Sequence, residues 1–210
     1  MEFTEAASDP GTARPGGRTA RVRAAVLGAT ADVLAEQGFA HLDLADIARR
    51  AEVGKTTVYR RWGTVTGLVT DLLLDMAQQS VPRTETGSLL GDLTANARLV
   101  RRTLADPRQG ALFKAVIAAA GSDPKAAQAL YGFYAARVDE WAPCVEQAAA
   151  RGEVPAGTDA HEVIRATSAP LYHRLLTTAL PLDEADADRA ARAAAEAARA
   201  GAYVREEGAA

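Results

Sequence analysis

The sequence predicts an all-α chain, and three observations carry that prediction. Apolar residues recur at three- and four-residue spacing in one segment after another, the period of a helix with a single buried face. Ser, Thr, Asp and Pro open these segments and Gly tends to close them, as helix caps do. No sustained period-two alternation, hairpin turn or fixed-period repeat interrupts them.

The elements follow in order. Residues 1–17, rich in Gly, Pro, Ser, Thr and Ala, read as a flexible arm, and Arg14 within it and Arg18 just after it could reach phosphate. Thr19 to Gln37 is predicted as the first helix, with Val22, Val26, Ala29 and Val33 as its apolar stripe and Gly38 as a left-handed C-cap. Asp43 caps a second helix, Leu44 to Ala51, with Asp46 at its third position. Glu52-Val53-Gly54 is a tight turn, and Lys55 to about Arg61 a third, short helix. Thr64 caps a fourth, to about Ser80, and Val81 to Gly87 is a loop. Ser88, Asp106-Pro107 and Ser122-Asp123-Pro124 start three more helices, expected to end near Leu104, Gly121 and Gly152. After the Gly152–Thr158 loop, Asp159 begins a helix kinked by Pro170 and ending near Leu180. Pro181-Leu182-Asp183 opens the last one, Glu184 to about Tyr203.

Composition narrows the function classes. The 210 residues suffice for a core without staples. The single cysteine, Cys144, permits no internal disulfide and reads as a small buried hydrophobe. No Cys/His cluster has metal-ligand spacing, so no metal or other cofactor is expected. No apolar run is long enough for a membrane span, and the N-terminal residues lack the apolar core of a signal peptide, so the expectation is a cytoplasmic protein without membrane contact. The net charge of −3 hides an asymmetry: eight basic residues face five acidic ones between Arg18 and Trp62, while the remainder is acidic. A basic head on an acidic body suits a nucleic-acid-binding module attached to a part that binds something else.

The segment Leu44–Arg61, two short helices about a three-residue turn, is a helix-turn-helix candidate. In such a unit the second helix enters the major groove. Here that helix keeps Val58 inward and presents Lys55, Thr56, Thr57, Tyr59, Arg60 and Arg61 outward. Lysine and arginine neutralise phosphates, and hydroxyls fix register on the backbone.

The stretch Gly38-Phe39, Leu44-Ala45-Asp46-Ile47-Ala48 and Ala51 through Trp62 resembles the N-terminal domain of TetR-family regulators across about residues 18–68. Ala169 through Leu176 is similar to C-terminal domains of many actinobacterial members. The resemblance implies that Lys55, Thr57 and Tyr59 hold the DNA backbone and that Thr56 and Arg60 lie nearest the bases. It also implies that Gly54 caps the recognition helix, with Asp43 capping the helix before it, and that Trp62 packs beneath. Four positions depart from the family pattern: Glu52 where glycine is common, Asp43 for threonine, Gly63 for proline and Val65 for lysine.

Other chemistry is set aside. Gly54-Lys55-Thr56 matches the end of a phosphate-binding loop, but the glycine required five residues earlier is Arg49 and no strand precedes it. His41, His161 and His173 are scattered, no Ser/His/Asp arrangement is recognisable, and the acidic pairs near Asp183 flank a helix start. No catalytic residues are expected.

The expected organisation is therefore an arm (1–17), an N-terminal three-helix helix-turn-helix DNA-binding domain (18–63) and a C-terminal helical ligand-binding and dimerisation domain (64–210). Phe113, Tyr134 and Trp141, bulky rings among many alanines, are expected to border a cavity for a small apolar or aromatic ligand, with Tyr172 as its polar hand. Leu171 and Leu175, with Ala191 and Ala195, are expected at a homodimer interface. Two-fold symmetry then implies a near-palindromic double-stranded operator. The alternative is a DNA-binding regulator without a small-molecule ligand, controlled by a protein partner, which a solid body would favour.

Overall fold

The computed structural model describes residues 17–79 and 83–205. The first sixteen residues, with Arg14, and the start of the loop after the fourth helix lie outside that range. The described residues form ten α-helices. They are α1 (Arg18–Gln37), α2 (Leu44–Arg50), α3 (Lys55–Trp62), α4 (Val65–Gln79), α5 (Leu89–Ala105), α6 (Pro107–Ala120), α7 (Pro124–Trp141), α8 (Pro143–Ala150), α9 (Ala160–Thr177) and α10 (Glu184–Arg199). A single 3-10 turn, Phe39–His41, joins α1 to α2.

The starts of these helices follow from their caps. Thr64 Oγ1 accepts from Gly67 N at 3.0 Å, Ser88 Oγ from Gly91 N at 3.2 Å, and Asp106 Oδ1 from Gln109 N at 2.8 Å. Asp123 and Asp159 act the same way at α7 and α9. Asp183 and Asp186 close a reciprocal capping box at α10.

Several boundaries differ from expectation, each for a physical reason. The helix predicted from Pro124 to Gly152 is two helices, because Pro143 has no N–H to continue the backbone ladder and becomes the first residue of α8. Helix α9 runs through Pro170 without ending, stops at Thr177, and is followed by extended Thr178. Helix α10 stops at Arg199, with Gly201 at φ +80° just beyond. The residues after it turn back onto the start of α9, where Tyr203 O accepts from Asp159 N at 2.7 Å. Gly38 has φ +82° but ψ 175°, an extended glycine-only conformation rather than a left-handed helical one.

One continuous core runs from the head into the body along α1 and α4. In the head, Val33, Leu34, Ile47, Ala48 and Val58 are buried together, with Trp62 beneath α3. Helix α1 also packs on α4 and α6, while α4 packs on α7. In the body, α10 lies on α5 and α9. That packing overturns part of the expected dimer surface. Leu171, Ala191 and Ala195 are all 0% exposed within one chain, so they cannot meet a partner, and Leu175 is half-buried. An alanine stripe signals a close helix contact, but its spacing does not say whether the facing helix belongs to the same chain; here it does.

Candidate nucleic-acid interface and cavity

The unit α2–turn–α3 is set by backbone bonds and one side-chain cap. Asp43 Oδ1 accepts from Ala45 N and Asp46 N, both at 2.9 Å. The turn closes through Val53 N to Ala48 O at 2.9 Å, with Glu52 at φ +54°. Gly54 caps α3 through its carbonyl, which accepts from Thr57 N at 2.9 Å. Val58 and Trp62 turn inward; Thr57 is half-buried; Lys55, Thr56, Tyr59, Arg60 and Arg61 are exposed.

The cations of this region divide into two groups. Arg50 reaches Asp46 at 3.1 Å and Glu36 at 3.2 Å, and Arg49 also pairs with Asp46. Lys55, Arg60 and Arg61 pair with no carboxylate among the described residues. Lys55 Nζ sits 5.5 Å from the Tyr59 ring centre and Arg61 Cζ 5.1 Å from that of Trp62, so both stems are steered by aromatic faces. Arg18, Glu52, Thr57, Arg60 and Arg61 edge a groove between α1 and α3. Hydrated cations without protein counter-charges are what a polyanion can engage. Of the departures from the family pattern, Gly63 has φ +69°, which the proline common there cannot adopt, and Val65 is half-buried as the first residue of α4.

Beneath α3 lies a network that the sequence reading missed. Trp62 Nε1 donates to Asp71 Oδ2 at 2.8 Å. Arg23 donates to the same carboxylate at 2.7 and 3.1 Å, and also to Asp75. This strap joins α1, the end of α3 and α4. Burial pushes the Asp71 carboxyl up, but the bonds from Arg23 and Trp62 outweigh it and hold its pKa below the ordinary value. The bond to Asp71 raises Arg23 further above its already high value. The only sequence signal was an Arg and two Asp residues at helix positions facing the core, which periodicity counts as misplaced polar residues.

Asp75 also borders a cavity of about 680 Å³, partly open to solvent and lined by α1, α4, α5, α6, α7 and α9. Its walls mix aliphatic side chains with polar and charged ones, and Phe133, Tyr134 and Tyr172 form an aromatic corner. The Tyr134 and Tyr172 rings meet edge-on at 5.1 Å, and Phe133 meets Tyr134 at 5.6 Å. Of the expected lining residues, Tyr134 and Tyr172 are on the wall. Phe113 is not: it is fully buried behind the corner, 5.2 Å from Phe133 and 6.0 Å from Tyr172, and supports those rings. Trp141 is packed at 1% exposure at the end of α7, away from the cavity. Composition grouped these rings correctly in sequence but could not say which side of α6 and α7 faces the void. Burial pushes the Tyr134 phenol up to about 12 and the Tyr172 phenol well above its ordinary value, so both are neutral hydrogen-bonding groups.

Elsewhere the chemistry is quiet. Burial pushes the Cys144 thiol up to about 12, far from a reactive thiolate. Among the described residues no acidic, His or Cys group could hold a metal, and no helix is long and apolar enough to cross a membrane.

Comparison with known proteins agrees with this anatomy. Residues 26–72 match the family model for bacterial regulatory proteins of the tetR family, and residues 83–194 match the tetracyclin repressor-like C-terminal domain. The HTH-type transcriptional regulator AqdR of Rhodococcus erythropolis is 35% identical over 147 residues, 70% of each chain. The HTH-type regulator YdeS of Bacillus subtilis is 31% identical over 155 residues, 73% of this chain and 78% of its own. Among solved structures, the TetR family transcription regulator SCO0332 superposes with a TM-score of 0.66 at 27% identity, covering 84% of this chain and 97% of its own.

Proposed function

Since the chain belongs to the TetR family of bacterial transcriptional regulators, we propose that it is a ligand-responsive repressor acting in the cytoplasm. It binds a near-palindromic operator as a homodimer and is released when a small molecule fills the body. In this reading residues 18–63 read DNA through Lys55, Thr56, Thr57, Tyr59, Arg60 and Arg61, and residues 64–210 bind ligand and pair the subunits.

The observation that carries the reading is the shared wall of the cavity. Helices α1 and α4 line it and also hold the recognition helix through Arg23, Asp71 and Trp62. A ligand in the cavity therefore presses on the same two helices that set the position of α3. To act as a switch it must bind two arrangements of those helices with different affinity.

For dimerisation, the faces of α9 and α10 that stay exposed are the relevant ones. They carry Ala169, Pro170, His173 and Leu176 on α9 and Ala185 and Ala193 on α10. Leu176 is 47% exposed, and the small neighbours permit close approach of a second copy. Two recognition helices related by a two-fold axis would then reach half-sites about one helical turn apart.

The test is a footprint of the purified protein on the DNA upstream of its own gene at stated salt, followed by titration with compounds that raise its melting temperature. A protected near-palindrome, lost on adding such a compound, supports the proposal. Operator affinity that stays constant at saturating compound refutes the ligand-responsive part. A monomer that protects a single half-site refutes the dimeric part.

A further inference from the structure

We infer that the cavity takes a flat aromatic molecule carrying an oxygen acceptor, a carboxylate or a ketone, and that Tyr134, Tyr172 and Arg137 together receive that oxygen. The inference rests on the reading of the cavity as the effector site and adds the chemistry of the effector.

Tyr134 and Arg137 stand about one helical turn apart on α7, and both line the cavity. Tyr172 lines it from α9, which packs on α7, and its ring meets that of Tyr134 at 5.1 Å. Burial raises the Tyr172 phenol, the neighbouring Tyr134 raises it further, and the positive field of Arg137 opposes them. The three polar ends therefore share one pole of the cavity.

The count of hydrogens makes that pole rich in donors. Both phenols keep their hydrogens at neutral pH. The two hydroxyls lie within hydrogen-bond reach of each other, and a bond between them uses only one of their two hydrogens. Arginine carries five N–H donors, and Arg137 gives to Glu140 through Nη1 alone. Its Nε and Nη2 have no acceptor among the described residues, and its side chain keeps 15% exposure. None of these atoms is sealed in the core as the unpartnered nitrogens of Arg101, Trp141 and Arg174 are. A ligand oxygen at this pole accepts from a phenol and from the guanidinium together, and a guanidinium fork matches a planar oxygen group.

The carboxylates of the wall set the orientation. Asp75 is held by Arg23 and by Gln79 Nε2 at 2.6 Å. Asp106 pairs with no cation among the described residues; it caps α6 by accepting from Gln109 N at 2.8 Å, at the corner between α5 and α6. An acceptor group turned toward Asp106 meets like charge, and one turned toward α7 and α9 meets donors. The aromatic corner holds the rest of the molecule. Phe133, Tyr134 and Tyr172 are arranged edge-to-face, with neighbouring planes at 69° and 83°. A flat ring stacks against such a corner in offset or edge-on geometry.

The experiment is calorimetric titration of the full chain at neutral pH with three probes: 2-acetylnaphthalene, 2-naphthoate and 2-isopropenylnaphthalene. The last has the shape of the ketone with a methylene group in place of its oxygen. Both oxygen-bearing probes should bind at least tenfold tighter than the hydrocarbon, a difference of about 1.4 kcal/mol. In Tyr134→Phe the preference for the ketone over the hydrocarbon should fall below threefold. In Arg137→Met, which keeps an unbranched stem, naphthoate should bind at least tenfold more weakly. That variant changes a side chain with an open end and covers the case in which the phenylalanine variant does not fold. A hydrocarbon that binds as tightly as the two oxygen-bearing probes overturns the donor pole and leaves the effector reading standing. Preferences undiminished in both variants do the same, and so does a natural chain that binds none of the three. The effector reading is judged separately, and it falls if no compound that raises the melting temperature releases the operator in the footprint titration.

Discussion

Glu52 stands at φ +54° in the turn between α2 and α3, the only residue other than glycine with positive φ among the described residues. For an L-residue this conformation costs roughly 1–2 kcal/mol, because Cβ crowds the following carbonyl. Glycine avoids that crowding but gives up roughly 0.5–1 kcal/mol more chain entropy on folding. The difference leaves Glu52→Gly more stable by about 1 kcal/mol, which raises the melting temperature by about 2–4 °C for a chain of this size. The glutamate side chain is exposed and makes no hydrogen bond or ion pair among the described residues, so little is lost with it. The same substitution removes a negative charge from the groove edged by Arg18, Arg60 and Arg61. Operator affinity should therefore rise several-fold at low salt. Glu52→Ala separates the two effects, since it removes the charge but keeps Cβ: affinity should rise as in the glycine variant, without the gain in stability. Differential scanning calorimetry and fluorescence anisotropy on a labelled operator read both quantities. A glycine variant no more stable than the natural chain, or an alanine variant that gains as much, would refute the strain argument.

Further expectations test the strap, the recognition helix and the cavity. Trp62→Phe keeps the ring but removes the donor to Asp71, and should cost about 1.5 kcal/mol in chemical denaturation. Asp71→Asn, which leaves Arg23 with only Asp75, should cost about 2 kcal/mol. If these variants unfold at the same denaturant concentration as the natural chain, the strap is ornamental. Lys55→Ala and Arg60→Ala should each weaken operator binding and reduce the slope of log affinity against log salt by about one; an unchanged slope would place those side chains off the phosphates. The shift at Tyr134 favours its neutral phenol in the fold, because burial penalises the charged form. Its contribution to stability is therefore complete below the unfolded value of 10 and is lost as pH rises through about 12. An alkaline melting series should show a loss in that window that is smaller in Tyr134→Phe, and identical curves for the two proteins would contradict it.

The sequence was legible wherever one local rule decides. Helix starts were readable because Asp43, Ser88, Asp106, Asp123, Asp159 and Asp183 cap through their own side chains, a relation three residues long. The outward face of α3 was readable for the same reason: Val58 and Trp62 fix its inward side. What failed needed non-local information. Ala191 and Ala195, expected against a second chain, are instead buried where α10 packs on α5 and α9 of its own chain, because an alanine stripe is indifferent to whose helix it touches. Phe113 and Trp141 were placed at a cavity and instead fill the core, while Phe133, in the same run of aromatics, is on the wall. Arg23, Asp71 and Asp75, up to 52 residues apart, could not be joined by any spacing rule.

Two local rules are broken in this fold, and their positions bear on mechanism. Glu52 holds a conformation suited to glycine at the edge of the recognition groove. Asn96 Oδ1, on a residue of the cavity wall, is a buried acceptor without a partner, and the Trp141 indole N–H is likewise unpartnered in the core. Between these places runs the strap from Trp62 through Asp71 and Arg23 to Asp75, whose last member borders the cavity and whose first closes the recognition helix. Local conflict with a folding rule persists most readily where function opposes stability. A strained turn can be tolerated if it tunes a surface that must release DNA as well as bind it. The strap gives these two sites a physical connection, because it consists of directional, half-buried bonds rather than deformable apolar contacts. A shift of α4 that accommodates a ligand must carry Asp71 with it, and Asp71 carries the indole on which α3 rests.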